Sequence, residues 1–305
     1  MTRLTKENIR SIEATSHEWN RYLKTHTGLA YIDIASKVSG KSVAEIEKAA
    51  EEYTIRVVPI TTGLGVIDFF SDSITAIIKT MDFSVKVTNN SDVDGLYEAC
   101  KDEADIVFMA DDNRYIALNL KNGRIGENDY ATANGYIEIL ESCVNTEIDR
   151  KKIGTQTEQS QSRPSIAQRN RLLASQQGRP IQQEMLPYPV LVLGYGPVGK
   201  EMAVALKKKS ALVTVYDKDP GKLITAKKHG LKTIEFDSEI KNFKLIADAT
   251  NEGGWLGKDM LDDEALIVAP GIPLSLDKQA QRKFTGRFIH DNLEIGTVSM
   301  LGLAL

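Results

Sequence analysis

Cysteine is scarce in this chain of 305 residues: Cys100 and Cys143 are its only two. They lie in unlike contexts, which excludes a disulfide framework or a four-cysteine zinc site, and both are expected to be reduced and packed. The four histidines, His17, His26, His229 and His290, have no metal-ligand spacing, and surface placement is expected for His290. No apolar run approaches the roughly eighteen residues of a spanning helix, and the first eight residues lack the apolar stretch of a secretory signal. A cytoplasmic location without a membrane partner is therefore expected. Positive charge is in deficit, with 38 Lys and Arg against 42 Asp and Glu, so no cationic field favours nucleic acid. The mild acidity suits a cationic small molecule.

The length exceeds what one hydrophobic core usually organises, and two domains are expected. Residues 5–24 read as one helix, with Ile9, Ile12, Trp19 and Leu23 loosely on one face. Ser42 followed by Glu45 forms a capping-box pattern for a second helix ending near Tyr53. Short β-rich runs at 55–60, 84–88 and 105–110 then alternate with helix-compatible segments at 71–81 and 93–101. That alternation predicts a small α/β domain with a parallel sheet. A further helix is expected over 131–145, with Tyr136, Ile139, Leu140 and Cys143 as its apolar stripe.

Residues 149–187 are rich in Gln, Ser and Arg and read as an insertion or linker. Beyond them strands are expected at 190–193, 212–216, 245–249 and 265–269, with helices at 198–208 and 220–229. The predicted organisation is an α/β N-terminal domain over 1–148, the 149–187 tract, a parallel-sheet Rossmann domain over 188–290, and a segment over 291–305 packing at the domain interface.

Gly194-Tyr195-Gly196-Pro197-Val198-Gly199 matches the G-x-G-x-x-G spacing, and its context gives that match weight. It follows an apolar strand and opens a helix. Gly194 can turn tightly, Gly196 can admit a pyrophosphate and Gly199 can let helix and sheet close. The helix N-terminus, with Pro197 and Val198, then offers free amides and partial positive charge to the anion. Asp217 ends the next predicted strand, where a carboxylate accepts hydrogen bonds from ribose hydroxyls and repels a 2′-phosphate, so NAD is the expected cofactor. Lys218 beside it softens that preference. Thr250 and Asn251 end a later strand and are candidates for the ribose and nicotinamide half, while Asp248 reads equally as a ligand or a loop acid. Pro270-Gly271-Ile272-Pro273 is a sharp turn in position to meet the nicotinamide.

In the first half, Val57-Val58-Pro59-Ile60-Thr61-Thr62-Gly63-Leu64-Gly65 runs from a strand into a hydroxyl- and glycine-rich turn. That turn is either a binding loop or an accommodation of positive φ angles. Asp111 and Asp112 follow a strand, where alternation would let only one face a given cleft, or they begin a solvated turn.

Val58-Pro59-Ile60-Thr61-Thr62-Gly63, Met109-Ala110-Asp111-Asp112, Asn119-Leu120-Lys121-Asn122-Gly123, Pro270-Gly271-Ile272-Pro273 and Ile295-Gly296-Thr297-Val298-Ser299-Met300-Leu301 occur in this order. In these tracts the chain resembles the PylD family, the dehydrogenases that complete pyrrolysine biosynthesis by oxidising 3-methylornithyl-lysine. The resemblance spans almost everything except residues 149–187. It implies an N-terminal substrate domain whose first helix covers the substrate, a C-terminal NAD-binding Rossmann domain, and a polyamine amino-acid substrate. It places Leu4 and Thr5 at the lid's contact positions, Thr62 where the family has a substrate-contacting serine, and Asp111 on the family's active-site aspartate; Asp111 is then expected to orient the reacting amine and to accept or relay its proton. Backbone contacts to the cofactor are implied near Ile295 and Gly296. His290-Asp291-Asn292-Leu293-Glu294 departs from the family stretch. A homodimer is compatible with this reading. From the residues alone, another NAD-linked amino-acid or imino-acid dehydrogenase and a non-enzymatic NAD-sensing module remain alternatives.

Overall fold

A computed structural model describes residues 4–158, 189–209 and 211–305. The described residues form two sheets. The first half comprises α1 (Lys6–Ile9), α2 (Ile12–Thr27), α3 (Tyr31–Ser39), α4 (Val43–Glu52), β1 (Thr54–Pro59), α5 (Phe70–Lys79), β2 (Ser84–Val87), α6 (Asp92–Lys101), β3 (Ile106–Ala110), β4 (Tyr115–Asn119), β5 (Ile125–Glu127) and α7 (Asn128–Glu158). The second comprises β6 (Val190–Leu193), α8 (Pro197–Lys208), β7 (Val213–Tyr216), α9 (Pro220–Lys228), β8 (Lys232–Thr233), β9 (Leu245–Asp248), β10 (Leu266–Val268), α10 (Lys278–Lys283), β11 (Phe288–Ile289) and α11 (Glu294–Ala304).

The expected single first helix is two. Asn292 donates from Nδ2 to the Asn8 carbonyl at 2.8 Å, and Ser73 donates from Oγ to the Ile9 carbonyl at 3.2 Å. Tertiary donors thus hold two carbonyls that a continuous helix would give to its own amides. α4 forms as its capping box predicts, with the Ser42 amide donating to Glu45 Oε2 at 2.7 Å.

The first sheet has the order β2-β1-β3-β4-β5. β2, β1 and β3 are parallel, as expected of the three strands read from the sequence, and two strands not expected there, β4 and β5, extend the sheet antiparallel. The hairpin turn between β3 and β4 is held by Asp111, whose Oδ1 accepts from the amides of Asn113 and Arg114, each at 2.7 Å. Asn119 organises the next turn by accepting from the amides of Lys121 and Asn122 at 2.9 and 3.2 Å.

The second sheet is parallel throughout, in the order β11-β10-β9-β6-β7-β8. Read from the other edge this is the doubly wound 3-2-1-4-5-6 order of a Rossmann fold. β6 and β9 are buried along their whole length, as a sheet covered on both faces requires.

α7 and α11 tie the halves together. α7 extends beyond the helix expected over 131–145 and carries residues 149–158 of the expected insertion; residues 159–187 lie outside the described residues. It packs on α2, α3 and α11 in the first half and on α8, β9 and β10 in the second. Lys209, after α8, pairs with Glu138 at 2.8 Å and Glu141 at 2.5 Å on α7. α11 follows the second sheet in sequence yet packs on α3, α5, α7, β4 and β5. Tyr115 Oη meets Thr297 Oγ1 at 2.9 Å, and Asn119 Nδ2 donates to the Ala304 carbonyl at 2.8 Å. Among the described residues no helix is long and apolar enough to cross a membrane. Cys143 is half-buried, but Cys100 is exposed rather than packed, because it lies on the outer face of α6.

Candidate active site between the two sheets

β6 is flanked by β7 and β9, so the strand order reverses there and leaves a crevice at the carboxyl ends of the strands. β1 and β3 of the other sheet end on the same crevice, at Pro59 and Ala110. The cavity between them has a volume of about 760 Å³. Pro59, Met109, Asp111 and Tyr115 line one side, and Gly194, Asp217, Thr250 and Gly271 the other.

The glycine turn divides its tasks. Gly194 leaves β6 at φ +82°, with its amide donating to the Tyr216 carbonyl at 2.8 Å. A Cβ on Gly199 would lie 1.9 Å from the Gly194 oxygen, so α8 can close on the turn only without a side chain there; Gly199 itself does not line the cavity. A Cβ on Gly196 would meet nothing within 4 Å. That space opens on the cavity beside Pro197 and Val198, at the N-terminus of α8. Asp217 also lines the cavity while its Oδ2 accepts from the Tyr195 amide at 2.7 Å. Lys218 is ion-paired with Glu252, and Lys222 Nζ lies 3.5 Å from Asp217.

Further along, Thr250, Asn251, Pro270, Gly271 and Gly296 line the cavity. Thr250 Oγ1 donates to Asp248 Oδ1 at 2.7 Å, and Ser275 donates to the other oxygen of the same carboxylate. Asp248 is thus a buried loop organiser, and burial pushes its carboxyl above the ordinary range. Ile295 does not reach the cavity: its amide donates to the Asp291 carboxylate at 3.2 Å. The Ile272–Pro273 peptide is cis.

On the first-half side Leu4 lines the cavity, but Thr5 does not, because its amide and hydroxyl both engage Asn8 Oδ1 in capping α1. Thr62 is exposed and stays outside the lining, since the chain turns away after Ile60. Thr61 is tied instead to Asp92, and the Leu64 amide donates to Asp112 Oδ2 at 2.7 Å. Asp111 and Asp112 both line the cavity, as they lie in a turn rather than in alternating extended chain.

Residues 8–126 match the family model described as pyrrolysine biosynthesis protein PylD, N-terminal domain. The chain is 30% identical over 302 residues to pyrrolysine synthase of Methanosarcina acetivorans, covering 99% of this chain and 98% of that protein. It belongs to the pyrrolysine synthase family. Identity to pyrrolysine synthase of Methanosarcina barkeri is also 30%, over 99% of this chain and 97% of that one. Among solved structures, shikimate 5-dehydrogenase of Thermus thermophilus aligns with a TM-score of 0.45 at 14% identity, over 82% of this chain and 91% of that one. This is too distant to add to the strand order seen directly.

The electrostatics of this pyrrolysine synthase family member separate its carboxylates. Asp111 is exposed, and the amides of Arg114 and then Asn113 hold its carboxyl below the ordinary range. It is a fixed anion and a poor proton acceptor. Asp291, which sequence reasoning left without a role, is buried, lines the cavity, and receives the Trp19 indole at 3.4 Å. Its amide donates to Tyr136 Oη at 2.9 Å. Burial and the nearby Glu294 push the Asp291 carboxyl well above its usual value, and burial raises Glu294 as well. Two acids at the start of an apolar helix, Asp291 just before α11 and Glu294 in its first turn, were the available signal. His290 is half-buried rather than on the surface, because Nδ1 bonds the Ala269 carbonyl at 2.7 Å; burial lowers its pKa.

Proposed function

We propose that this protein uses NAD to oxidise the terminal amine of 3-methylornithyl-lysine, with ammonia loss and ring closure giving pyrrolysine. The observation that carries the reading is a single cavity lined by the glycine turn, the acid at the end of β7 and the carboxylates of the first half. The residues fit a dinucleotide. The open space at Gly196 lies at the N-terminus of α8, where amides and helix dipole favour a pyrophosphate. Asp217 stands where ribose hydroxyls would be received, and its charge disfavours a 2′-phosphate.

Bound there, NAD supplies the hydride acceptor. The chain's part is to bind, align and deprotonate the amine. Asp111, ionised at neutral pH, orients the substrate ammonium. Asp291 takes its proton, since a buried carboxyl with a raised pKa is better matched to that transfer than Asp111. Leu4 and Phe70 restrict water on the first-half side. The substrate carbon then carries an iminium. Attack by the substrate's second amine expels the original nitrogen as ammonia and leaves the five-membered ring's C=N bond. Within one molecule the effective concentration of that amine reaches roughly 10⁵ M or more in aligned cases, so capture outpaces hydrolysis.

The test is NADH formation in a single turnover with the isopeptide substrate, for the wild type, Asp111→Asn and Asp291→Asn. Loss of the proton acceptor should slow Asp291→Asn by about 10²- to 10⁴-fold. Asp111→Asn should mainly weaken binding. Unaltered first-turnover rates in Asp291→Asn would remove it from proton transfer. Turnover of other amino acids but not of the isopeptide would overturn the substrate assignment.

A further inference from the structure

Three carboxylates on the cavity are not used by the proposed chemistry; Asp112 receives the Leu64 amide and Glu252 pairs with Lys218, which leaves Asp129. Asp129 lies in the first turn of α7 and lines the cavity beside Asn128 and Thr132. Its Oδ1 is buried and has no hydrogen-bond partner. The Asn128 side chain bonds the Asp129 carboxyl but leaves Oδ1 without a donor, and other polar groups nearby are engaged with one another. Thr132 Oγ1 donates to Asn128 Oδ1 at 3.2 Å, the Tyr130 amide donates to Glu127 Oε2 at 3.2 Å, and Arg114 Nη1 pairs with Glu127 at 3.5 Å. A buried carboxylate oxygen without a donor costs free energy that an incoming N–H restores.

We propose that Asp129 receives a second, non-reacting ammonium group of the substrate, so that it and Asp111 together select an amino acid carrying at least two cationic amines. This inference rests on the functional reading above and adds a residue-level basis for its specificity. Asp111 is supplied by the β3–β4 turn and Asp129 by the start of α7, so the two anions stand on different elements of the same cavity. A ligand with one amine could satisfy only one of them. The Asp129 carboxyl is pushed above the ordinary range by burial first and by Glu127 second, and an ammonium beside it would oppose both causes.

The experiment uses the full chain with NAD present. Asp129→Asn should raise KM for the isopeptide roughly ten- to hundredfold, the value of a charge-assisted hydrogen bond, with kcat kept within about threefold. Isopeptide analogues lacking one or the other of the two amines that are not oxidised, read by NADH formation, identify the group concerned. For the analogue missing the amine that Asp129 receives, wild type and variant should have equal KM. Calorimetric titration with L-lysine amide, a small dication, should show at least tenfold weaker binding to the variant. An unchanged KM, an equal KM rise for every analogue, or equal affinity for L-lysine amide would each overturn the assignment. If the wild type turns over no isopeptide, the functional reading fails by itself, while the L-lysine amide titration still decides the role of Asp129.

Discussion

Gly199 and Gly196 stand three residues apart in one turn, and the structure assigns them opposite sensitivities. In Gly199→Ala the new methyl would lie 1.9 Å from the Gly194 carbonyl oxygen, with Ala249 Cβ at 3.5 Å on the other side. An ordinary carbon–oxygen contact is about 3.3 Å, so α8 must move from the turn by roughly 1.4 Å. Overpacking of this kind costs about 1–3 kcal/mol. At roughly 2–4 °C per kcal/mol, Tm should fall by several degrees. NAD affinity should fall with it by at least about fivefold, because the displaced helix carries the amides that meet the pyrophosphate. Gly196→Ala is the control. Its φ is −78° and its methyl would meet nothing within 4 Å, so stability without ligand should stay within about 1 kcal/mol. Its methyl would nevertheless fill the proposed pyrophosphate space, and the NAD dissociation constant should rise at least tenfold. Thermal unfolding and calorimetric NAD titration of both variants provide the readout. A Gly196→Ala protein that binds NAD like the wild type would refute the placement of the pyrophosphate. A Gly199→Ala protein of unchanged Tm would refute the packing.

Asp291 also governs a pH dependence of stability. Its folded pKa is raised, so its contribution is full below the unfolded value of about 3.9 and is lost as pH rises through the folded value. Asp291→Asn should therefore be more stable than the wild type at pH 8, with the gap shrinking toward pH 4; urea midpoints across that range test the sign. Asp217→Asn should reduce the preference for NAD over NADP by roughly tenfold or more, because it loses charge-assisted acceptance of the ribose hydroxyls and repulsion of a 2′-phosphate. Parallel titrations with the two cofactors measure the ratio.

The glycine turn, Asp217 and α4 were legible because their signals are local: a spacing, a strand end and a capping box. α3 was not, since Ala30 provides no capping side chain and the helix is held by packing on α7 and α11. β4 escaped notice because its hairpin turn contains neither Gly nor Pro and depends on the Asp111 side chain. Asp291 was hidden for a longer-range reason. Trp19 and Tyr136, which bond it, are remote in sequence, so the neighbouring Glu294 was the local sign of an acid with altered affinity for protons and its burial was not readable. Asp111, singled out by family order, lines the cavity, while the Asn113 and Arg114 amides disfavour the proton-accepting role expected of it. Thr62 could not be placed because the course of the chain after Ile60 depends on ties to Asp92 and Asp112.

The return of α11 to the first sheet has a consequence for biosynthesis. Strands β1 to β5 leave the ribosome well before the helix that supplies much of their apolar cover. At about 5–20 residues per second, the interval between β5 and α11 is roughly 10–30 s. During that time the newly made half must wait with an open flank, so slower elongation through the second sheet should lengthen its exposure to proteases and chaperones.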